Sequence, residues 1–268
     1  MAESLTLAPL TDFDIGAIAA AAIALAAYRT RSLDVGGALA AFAVGTVTYG
    51  ELGTPAAAIV LAFFTTSVAL SRVGRARKRS LLVDVAKTGA RDAAQVFANG
   101  GIATLCAVLA HALAPRYALA FAGAYAAATA DTWGTEIGAL ARRAPRSILT
   151  FKPVATGLSG GVTWPGTVAE FMGAVAIALV ASTTGAFGPR AALAIAAGGM
   201  AGALADSVLG ASVQALRWCP QCRRATEREP HACGANTAPL RGLAWFGNDA
   251  VNTTATLVGA TVAFALGS

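Results

Sequence analysis

Apolar residues occur along this chain in eight long runs that are separated by short polar segments. A membrane-spanning helix needs about 20 predominantly apolar residues, and several of the runs reach or approach that length. The pattern predicts an all-α fold, a polytopic transmembrane helical bundle of about eight spans that forms a single membrane-embedded domain over residues 1–268. The predicted spans one to eight cover residues 13–28, 35–50, 55–71, 93–113, 117–140, 163–183, 191–216 and 244–266.

Composition supports the membrane class. The 268 residues are 56% hydrophobic and only 13% charged, whereas soluble domains carry about 25% charged residues. The chain also has 29 glycines, and small residues let membrane helices approach one another closely. A soluble globular protein is therefore excluded.

Basic residues are confined almost entirely to every second loop. Four loops hold 18 of the 20 Lys and Arg residues, namely 29–34, 72–92, 141–162 and 217–243. The positive-inside rule places such loops in the cytoplasm, which predicts an integral protein of the cytoplasmic membrane with both termini outside. The net charge of +6 then follows from topology, and no nucleic-acid partner is expected.

Carboxylates inside the predicted spans are the strongest functional signal. Each costs roughly 2.5–3.5 kcal/mol at the bilayer centre, yet all five map to the cytoplasmic halves of their spans. One or two such residues can serve as polar contacts between helices, but a one-sided set indicates a polar chamber that opens to the cytoplasm. The five are Asp131, Glu136, Glu170, Asp206 and Asp249.

Helical geometry separates the two acids of span five. Asp131 and Glu136 are five residues apart, which places them about 140° from each other around a helix. They could bind one ion together only if the helix were broken, which Gly134 would permit. Asp131 is therefore the expected metal ligand, and Glu136 is either a further ligand or a partner that orients a neighbouring helix.

Uncharged polar groups accompany the acids at the same depth. Gln95 and Asn99 share a face of span four, and Asn248 and Asn252 share a face of span eight. Gln214 lies near the inner end of span seven. These amides are candidates for binding substrate or nucleotide oxygens.

The loops supply groups that suit an anion. Arg91 precedes span four, and Lys152 precedes the glycine-rich turn "TGLSGG" that leads into a helix start near Thr163. Backbone N–H groups at such a turn and helix N-terminus can face phosphate; the turn contributes Gly157, Ser159, Gly160 and Gly161. Carboxylates for a divalent metal, together with cations and N–H groups for phosphate, are the parts that phosphoryl transfer requires.

The loop 217–243 contains four soft metal ligands, in the stretch "WCPQCRRATEREPHACG". A closed tetrahedral site for structural zinc needs four such ligands, and the cytoplasm disfavours disulfides. The alternative is a flexible loop with free thiols. The expected zinc ligands are Cys219, Cys222, His231 and Cys233.

Six motifs in one order carry a resemblance to a known family: "RDAAQVFANGG", "ADTWGTEIG", "TGLSGGVTWPGT", "ADSVLGASVQ", "CPQC…TE…HACG" and "GNDAVN". Together they resemble the integral membrane family that includes the plant phytyl-phosphate kinase, which is distantly similar to CTP-dependent dolichol and phytol kinases. This chain departs from the family in having Leu158 where a threonine is usual.

The resemblance implies a Mg²⁺-dependent kinase that converts an isoprenoid (phytyl or polyprenyl) monophosphate lipid into its diphosphate, with CTP as the expected nucleoside triphosphate. On this hypothesis Asp131, Asp206 and Asp249 hold Mg²⁺, with Glu136 beside them. The phosphates would be bound by Arg91, Lys152 and the turn at residues 157–161. Gln95, Asn99, Gln214, Asn248 and Asn252 would position the substrate or nucleotide.

Three other functions stay open at this stage, and one of them is a non-enzymatic assembly factor whose zinc loop docks a partner. A transporter for a small anionic or isoprenoid-phosphate substrate also uses intramembrane acids and glycine-interrupted helices, and a prenyl-alcohol kinase would use the same groups on a different acceptor. A homodimer through small-residue stripes such as that of Gly198, Gly202 and Gly210 is also open.

Overall fold

Long helices make up most of the chain. A computed structural model describes residues 10–87 and 89–267. Its helices are α1 (Asp12–Arg29), α2 (Val35–Arg72), α3 (Arg75–Leu81), α4 (Ala93–Ala112), α5 (Tyr117–Gly138), α6 (Trp164–Thr183), α7 (Pro189–Ser212) and α8 (Asn248–Gly267). The predicted helical membrane class is confirmed.

Within the described residues, five helices are long and apolar enough to cross a membrane: α2, α4, α6, α7 and α8. Predicted spans two and three are the two arms of α2, which kinks at Gly53, where φ is +65° and ψ is −151°. Pro55 follows the kink and lacks the N–H that a continuous helix needs. The remaining predicted spans, one and five, coincide with α1 and α5, so the count of about eight stays a prediction.

Helix α5 lies at the centre of the bundle. It packs against α2, α4, α6, α7 and α8, and every residue from Leu119 to Ala130 is buried. Most of these residues are alanine, whose small side chain lets five other helices pack closely against α5.

Glycines set the closest approaches around α5. A Cβ on Gly259 of α8 would lie 2.6 Å from Ala127 Cβ and 2.7 Å from the Gly123 carbonyl oxygen. A Cβ on Gly198 of α7 would lie 3.1 Å from Ala263 Cβ. The small-residue stripe of α7 is thus used inside the chain, where Gly198 packs against α8, Gly202 against α5 and α8, and Gly210 against the glycine-rich turn.

Side-chain caps fix where three helices begin at one end of the bundle. Asp34 accepts a hydrogen bond from Gly37 N at 2.7 Å to start α2, and Thr163 accepts one from Gly166 N at 3.1 Å to start α6. Asp92 and Gln95 form a reciprocal capping box at the start of α4. Such caps satisfy N–H groups that have no partner within the helix.

Two small antiparallel sheets lie in the loops, which an all-α expectation did not include. One pairs β1 (Arg146–Ser147) with β2 (Gly161–Val162). The other has the order β4-β3-β5, with β3 (Leu216–Cys219), β4 (Arg224–Thr226) and β5 (Ala238–Arg241). The loop 217–243 is therefore an ordered sheet, and we call it the Cys/His sheet.

The four basic loops meet at one end of the bundle. Arg91 N donates to the Ser32 carbonyl oxygen at 3.0 Å, and Arg77 donates to the Ala141 carbonyl oxygen at 3.4 Å. Thr226 Oγ1 of the Cys/His sheet donates to the carbonyl oxygen of Asp84 at 3.1 Å. This shared end agrees with the predicted alternation of loops, while the cytoplasmic orientation stays a prediction.

The glycine contacts around α5 give a direct stability test. Gly259→Ala should lower the free energy of unfolding by about 1–3 kcal/mol, because the added methyl group overpacks the contact with α5. Gly101→Ala on α4 is the matched control, since its Cβ would meet only Phe97 atoms at 3.8 Å or more. Thermal unfolding in detergent measures both; equal melting temperatures for the two variants would contradict the packing described.

Candidate functional site

A polar cavity of about 680 Å³ lies at the end of the bundle where the basic loops meet. The ends of α4 to α8 on this side of the bundle, the glycine turn and the Cys/His sheet all contribute to its wall. Its acidic lining residues are Asp131, Glu136, Glu170, Asp206 and Glu227.

Three of these acids form a cluster from three neighbouring helices. Asp131 comes from α5, Glu170 from α6 and Asp206 from α7, and their carboxylates are close enough to interact electrostatically. Among the described residues, none of the three forms a salt bridge, and Asp206 Oδ2 is buried without a hydrogen-bond partner.. Carboxylate oxygens left unneutralised in this way suit a hard divalent cation such as Mg²⁺.

Gly134 makes room for the cluster. A Cβ on Gly134 would lie 2.7 Å from Glu170 Oε1 and 3.0 Å from Glu170 Cδ. Helix α5 runs unbroken through this position to Gly138, so the glycine allows close approach rather than a break in the helix. Asp131 and Glu136 accordingly stay on different faces.

Glu136 is held by a buried lysine. Lys78 Nζ of α3 lies 2.5 Å from Glu136 Oε2 and donates to the Leu70 carbonyl oxygen at 2.8 Å. The Lys78 side chain is only 6% exposed. Of the two roles expected for Glu136, the geometry favours the one that orients a neighbouring element, since the salt bridge fixes α3 against α5.

Asp249 does not join the cluster. Its Oδ2 lies 2.5 Å from Lys87 Nζ, which also lies 2.8 Å from Asp92 Oδ2. Asp249 is not among the residues that line the cavity. Its Oδ1 is buried without a hydrogen-bond partner among the described residues, but its Oδ2 is paired with Lys87. Its placement beside Asp131 and Asp206 is therefore corrected, and Glu170 is the acid that accompanies them.

Two further expectations also need correction. Lys152 is exposed and does not line the cavity, although Gly157 of the same loop does. Gln214 is only 3% exposed and also lies outside the lining. The chain leaves α7 after Ser212, so Gln214 follows the helix end and does not share the helix face of Asp206.

The other amides lie where their spacing predicts. Gln95 and Asn99 line the cavity from α4, and Asn248 and Asn252 line it from α8. Asn99 Nδ2 donates to the Gln95 carbonyl oxygen at 2.9 Å, so its side-chain oxygen stays available to a ligand.

The glycine turn lines the cavity, but its N–H groups are partly used. Gly157 and Gly160 adopt φ values of +90° and +79°, which favour glycine. Gly161 N donates to the Leu158 carbonyl oxygen at 3.2 Å. Ser159 N donates to Glu227 Oε1 at 2.9 Å, so an acid of the protein already sits where a phosphate was expected.

Glu227 is the site residue that sequence reasoning missed. It follows β4, and its own N–H donates to the carbonyl oxygen of Asp84 at 2.8 Å. Burial raises the pKa of Glu227, while hydrogen bonds from Ser159 and the amide of Ala86 act against that rise. The signal was the "TE" between the cysteine pair and His231 in the quoted motif.

Cations also line the cavity. Arg91 lines it from the loop before α4, as expected, and its charge interacts with Glu136. The other basic lining residues are Arg31, Arg72, Arg75, Lys78, Arg79, Lys87 and Arg228. The wall of the cavity therefore carries both acidic and basic side chains.

The four expected zinc ligands lie together. The ligand atoms of Cys219, Cys222, His231 and Cys233 are all within 4.8 Å of one another. The hydrogen bond from His231 lowers the pKa of the Cys233 thiol to about 6, and thiolate is the form that binds metal. The donor set therefore fits zinc, and its place in an ordered sheet does not favour a flexible loop.

A second layer of contacts joins this cluster to the polar cavity. His231 Nε2 lies 3.1 Å from Asp84 Oδ1, the carboxylate contact typical of metal-binding histidines. Arg224 lies 2.5 Å from Asp84 Oδ2. Because Asp84 also accepts the Glu227 N–H, the cluster and the cavity wall share one anchor.

Comparison with known proteins settles the family. The sequence profile of the integral membrane protein family DUF92 matches residues 18–260. The chain belongs to this family. The resemblance seen in the six motifs is thereby confirmed.

Relatives cover most of the chain. Protein PGR of Arabidopsis thaliana is 32% identical over 256 residues, 86% of this chain and 87% of that protein. An uncharacterized membrane protein of Methanocaldococcus jannaschii is 35% identical over 190 residues, 70% and 78% of the two chains. The chloroplastic protein VTE6 of Arabidopsis thaliana is 26% identical over 238 residues, 86% and 64% of the two chains. No solved structure matches.

The salt bridge between Lys78 and Glu136 allows a test of whether Glu136 orients α3 or binds a metal ion. Lys78→Met should destabilise the protein by about 1–3 kcal/mol, because it leaves the half-buried Glu136 carboxylate without its partner. The double variant Lys78→Met/Glu136→Gln should regain most of that stability and retain ligand binding. Thermal unfolding and nucleotide binding by the purified variants measure this. A stable double variant that has lost magnesium-dependent binding would show instead that Glu136 is a metal ligand.

The Cys/His cluster predicts a bound metal. The purified protein should contain about one zinc ion per chain, measured by elemental mass spectrometry, and Cys222→Ser should release most of it. Cys106→Ser is the control, because Cys106 is buried within α4. Equal zinc content in the two variants would argue against the site.

Proposed function

We propose that the chain is an isoprenoid monophosphate kinase, which transfers a phosphoryl group from a nucleoside triphosphate to a prenyl monophosphate. The observation that carries the proposal is the cluster of Asp131, Glu170 and Asp206, three acids that form no salt bridge among the described residues, in a cavity that is also lined by basic side chains. The six motifs and the similarity to VTE6 support the prenyl-phosphate kinase assignment. The cytoplasmic face and CTP as the donor are part of the proposal.

The reaction needs charge neutralisation more than a base. A monophosphate oxygen is already anionic near neutral pH and attacks the terminal phosphorus of the nucleotide; the new P–O bond forms as the bond to the nucleoside diphosphate breaks. The protein therefore has to hold the two phosphates in line and stabilise the developing charge.

The residues divide this work between them. Asp131, Glu170 and Asp206 would hold Mg²⁺, which supplies neutralisation of the phosphate charge when it is bound. Arg91 binds phosphate oxygens at the inner end of α4. Gln95, Asn99, Asn248 and Asn252 orient the substrate and the nucleotide through hydrogen bonds.

The Cys/His sheet has a positioning role in this proposal. Zinc held by its four ligands would stabilise the sheet, and the sheet places Glu227 against Ser159 N. That contact fixes the glycine turn at the wall of the cavity. Zinc is structural here, because its four protein ligands leave no open position.

Substrate profiling tests the proposal. Purified protein in nanodiscs would be incubated with Mg²⁺, each of the four nucleoside triphosphates, and a panel of prenyl monophosphates and prenyl alcohols, with products identified by mass spectrometry. We expect diphosphates from monophosphates, with CTP the best donor. Absence of any diphosphate would overturn the proposal. Phosphorylation of alcohols alone would favour the alcohol kinase, and uptake of substrate into proteoliposomes without nucleotide would favour the transporter.

Substitution of single acids tests which of them take part in phosphoryl transfer. Asp131→Asn and Asp206→Asn should each lower kcat by about 100-fold or more, since each removes a group that stabilises phosphoryl transfer. Asp249→Asn should lower kcat less than about tenfold, because Asp249 itself does not line the cavity and its contact with Lys87 is partly exposed. Steady-state kinetics on the three folded variants measure this, and the reverse order would assign the metal to Asp249.

A further inference from the structure

A second cavity, of about 250 Å³, lies between α1, both arms of α2 and α4. Its walls are mostly apolar, and they include Ala24, Ala41, Val44, Val60 and Phe63. We call it the apolar groove. Of the charged residues that line the polar cavity, only Arg91 also lines the apolar groove.

The apolar groove meets the polar cavity at three shared residues. Arg91, Gln95 and Asn99 line both spaces. A molecule that touches these side chains can place an anionic end among the cations and acids on one side and an apolar end in the groove on the other. The two spaces together therefore suit an anionic lipid with one apolar chain.

Two apolar residues of the groove wall are partly exposed. Ile23 of α1 and Leu61 of α2 line it, and each is 39% exposed. An apolar chain that enters past these side chains would stay in contact with apolar surface, whose removal from water is favourable.

Tyr49 lies at the end of the groove farthest from the shared residues. A Cβ on Gly16 of α1 would lie 3.0 Å from Tyr49 Cβ of α2. From Ala27, near the shared residues, to Gly16 the groove follows eleven residues of α1, or about 16 Å along the helix axis.

We propose that the apolar groove holds the prenyl chain of the substrate and that Tyr49 sets the longest chain it accepts. The proposal rests on the proposed kinase function for the identity of the head group. Arg91, Gln95 and Asn99 would bind the substrate where its head group and chain join. Chain-length specificity would come from the groove between α1, α2 and α4, which lies beyond these three residues.

Chain-length kinetics with matched variants test this. The values of kcat/KM for geranyl, farnesyl and geranylgeranyl monophosphates would be measured for the original protein, Ala41→Leu, Tyr49→Ala and Ala43→Leu. Ala43 lies two residues from Ala41 on α2, is exposed and is outside the groove. Filling the groove in Ala41→Leu should lower kcat/KM for the longest chain about tenfold or more relative to the shortest, since a few methylene groups in an apolar pocket discriminate by 10–200-fold.

For Tyr49→Ala we predict a gain in kcat/KM on the long chain. Tyr49→Ala should raise kcat/KM for geranylgeranyl relative to geranyl monophosphate about tenfold, which loss of folding cannot imitate. Ala43→Leu should leave the ratios unchanged. If both groove variants leave the chain-length ratios unchanged while the original protein is active, the groove proposal is overturned and the kinase function stands.

A binding measurement covers the case in which no kinase activity is found. Farnesyl monophosphate should raise the melting temperature of the original protein, inorganic phosphate should raise it less, and Ala41→Leu should lose the difference between them. This result would support the groove although the kinase function had failed. Native mass spectrometry that finds a bilayer phospholipid retained in the protein and not displaced by farnesyl monophosphate would overturn the groove proposal.

Discussion

Three carboxylates without a paired cation, held between neighbouring membrane helices, are the constraint on which the rest of the structure depends. Asp131, Glu170 and Asp206 have no salt bridge among the described residues, and Glu170 is buried, where an uncompensated charge costs several kcal/mol. The three acids lie at the end of the bundle where the basic loops meet. Basic side chains line the same cavity, so the cluster lies close to positive charges with which it is not paired.

The helical core provides the rigidity that such a cluster needs. Acids from α5, α6 and α7 can share a cavity only if these helices approach closely, and Gly134 removes the side chain that would separate α5 from Glu170. Further from the cavity, the buried alanines of α5 and the glycines of α7 and α8 keep the same helices in register. The small residues that let these helices approach closely therefore also bring the three acids together.

Much of this arrangement follows from patterns in the sequence. Apolar runs and loop charges predict the helices and their shared basic end, and a spacing of four residues correctly places Gln95 with Asn99. Asp249 was misplaced because its partner, Lys87, lies 162 positions earlier, and no local pattern reveals such a pair. Glu227 was missed because it lies in a loop, where helical periodicity carries no information. The sheet strands are too short, at two to four residues, to show an alternating pattern.

The contacts of Asp84 also bear on how the protein is made. Asp84 lies just after α3, whereas its partner His231 comes 147 residues later in the chain, when all helices but α8 have been synthesised. During synthesis, the buried Asp84 carboxylate therefore lacks its His231 partner until most of the bundle has been inserted into the membrane. Completion of the Cys/His sheet then becomes a late step of assembly, and a chain that stops before it would expose an unfinished cavity wall to the proteases that remove misassembled membrane proteins.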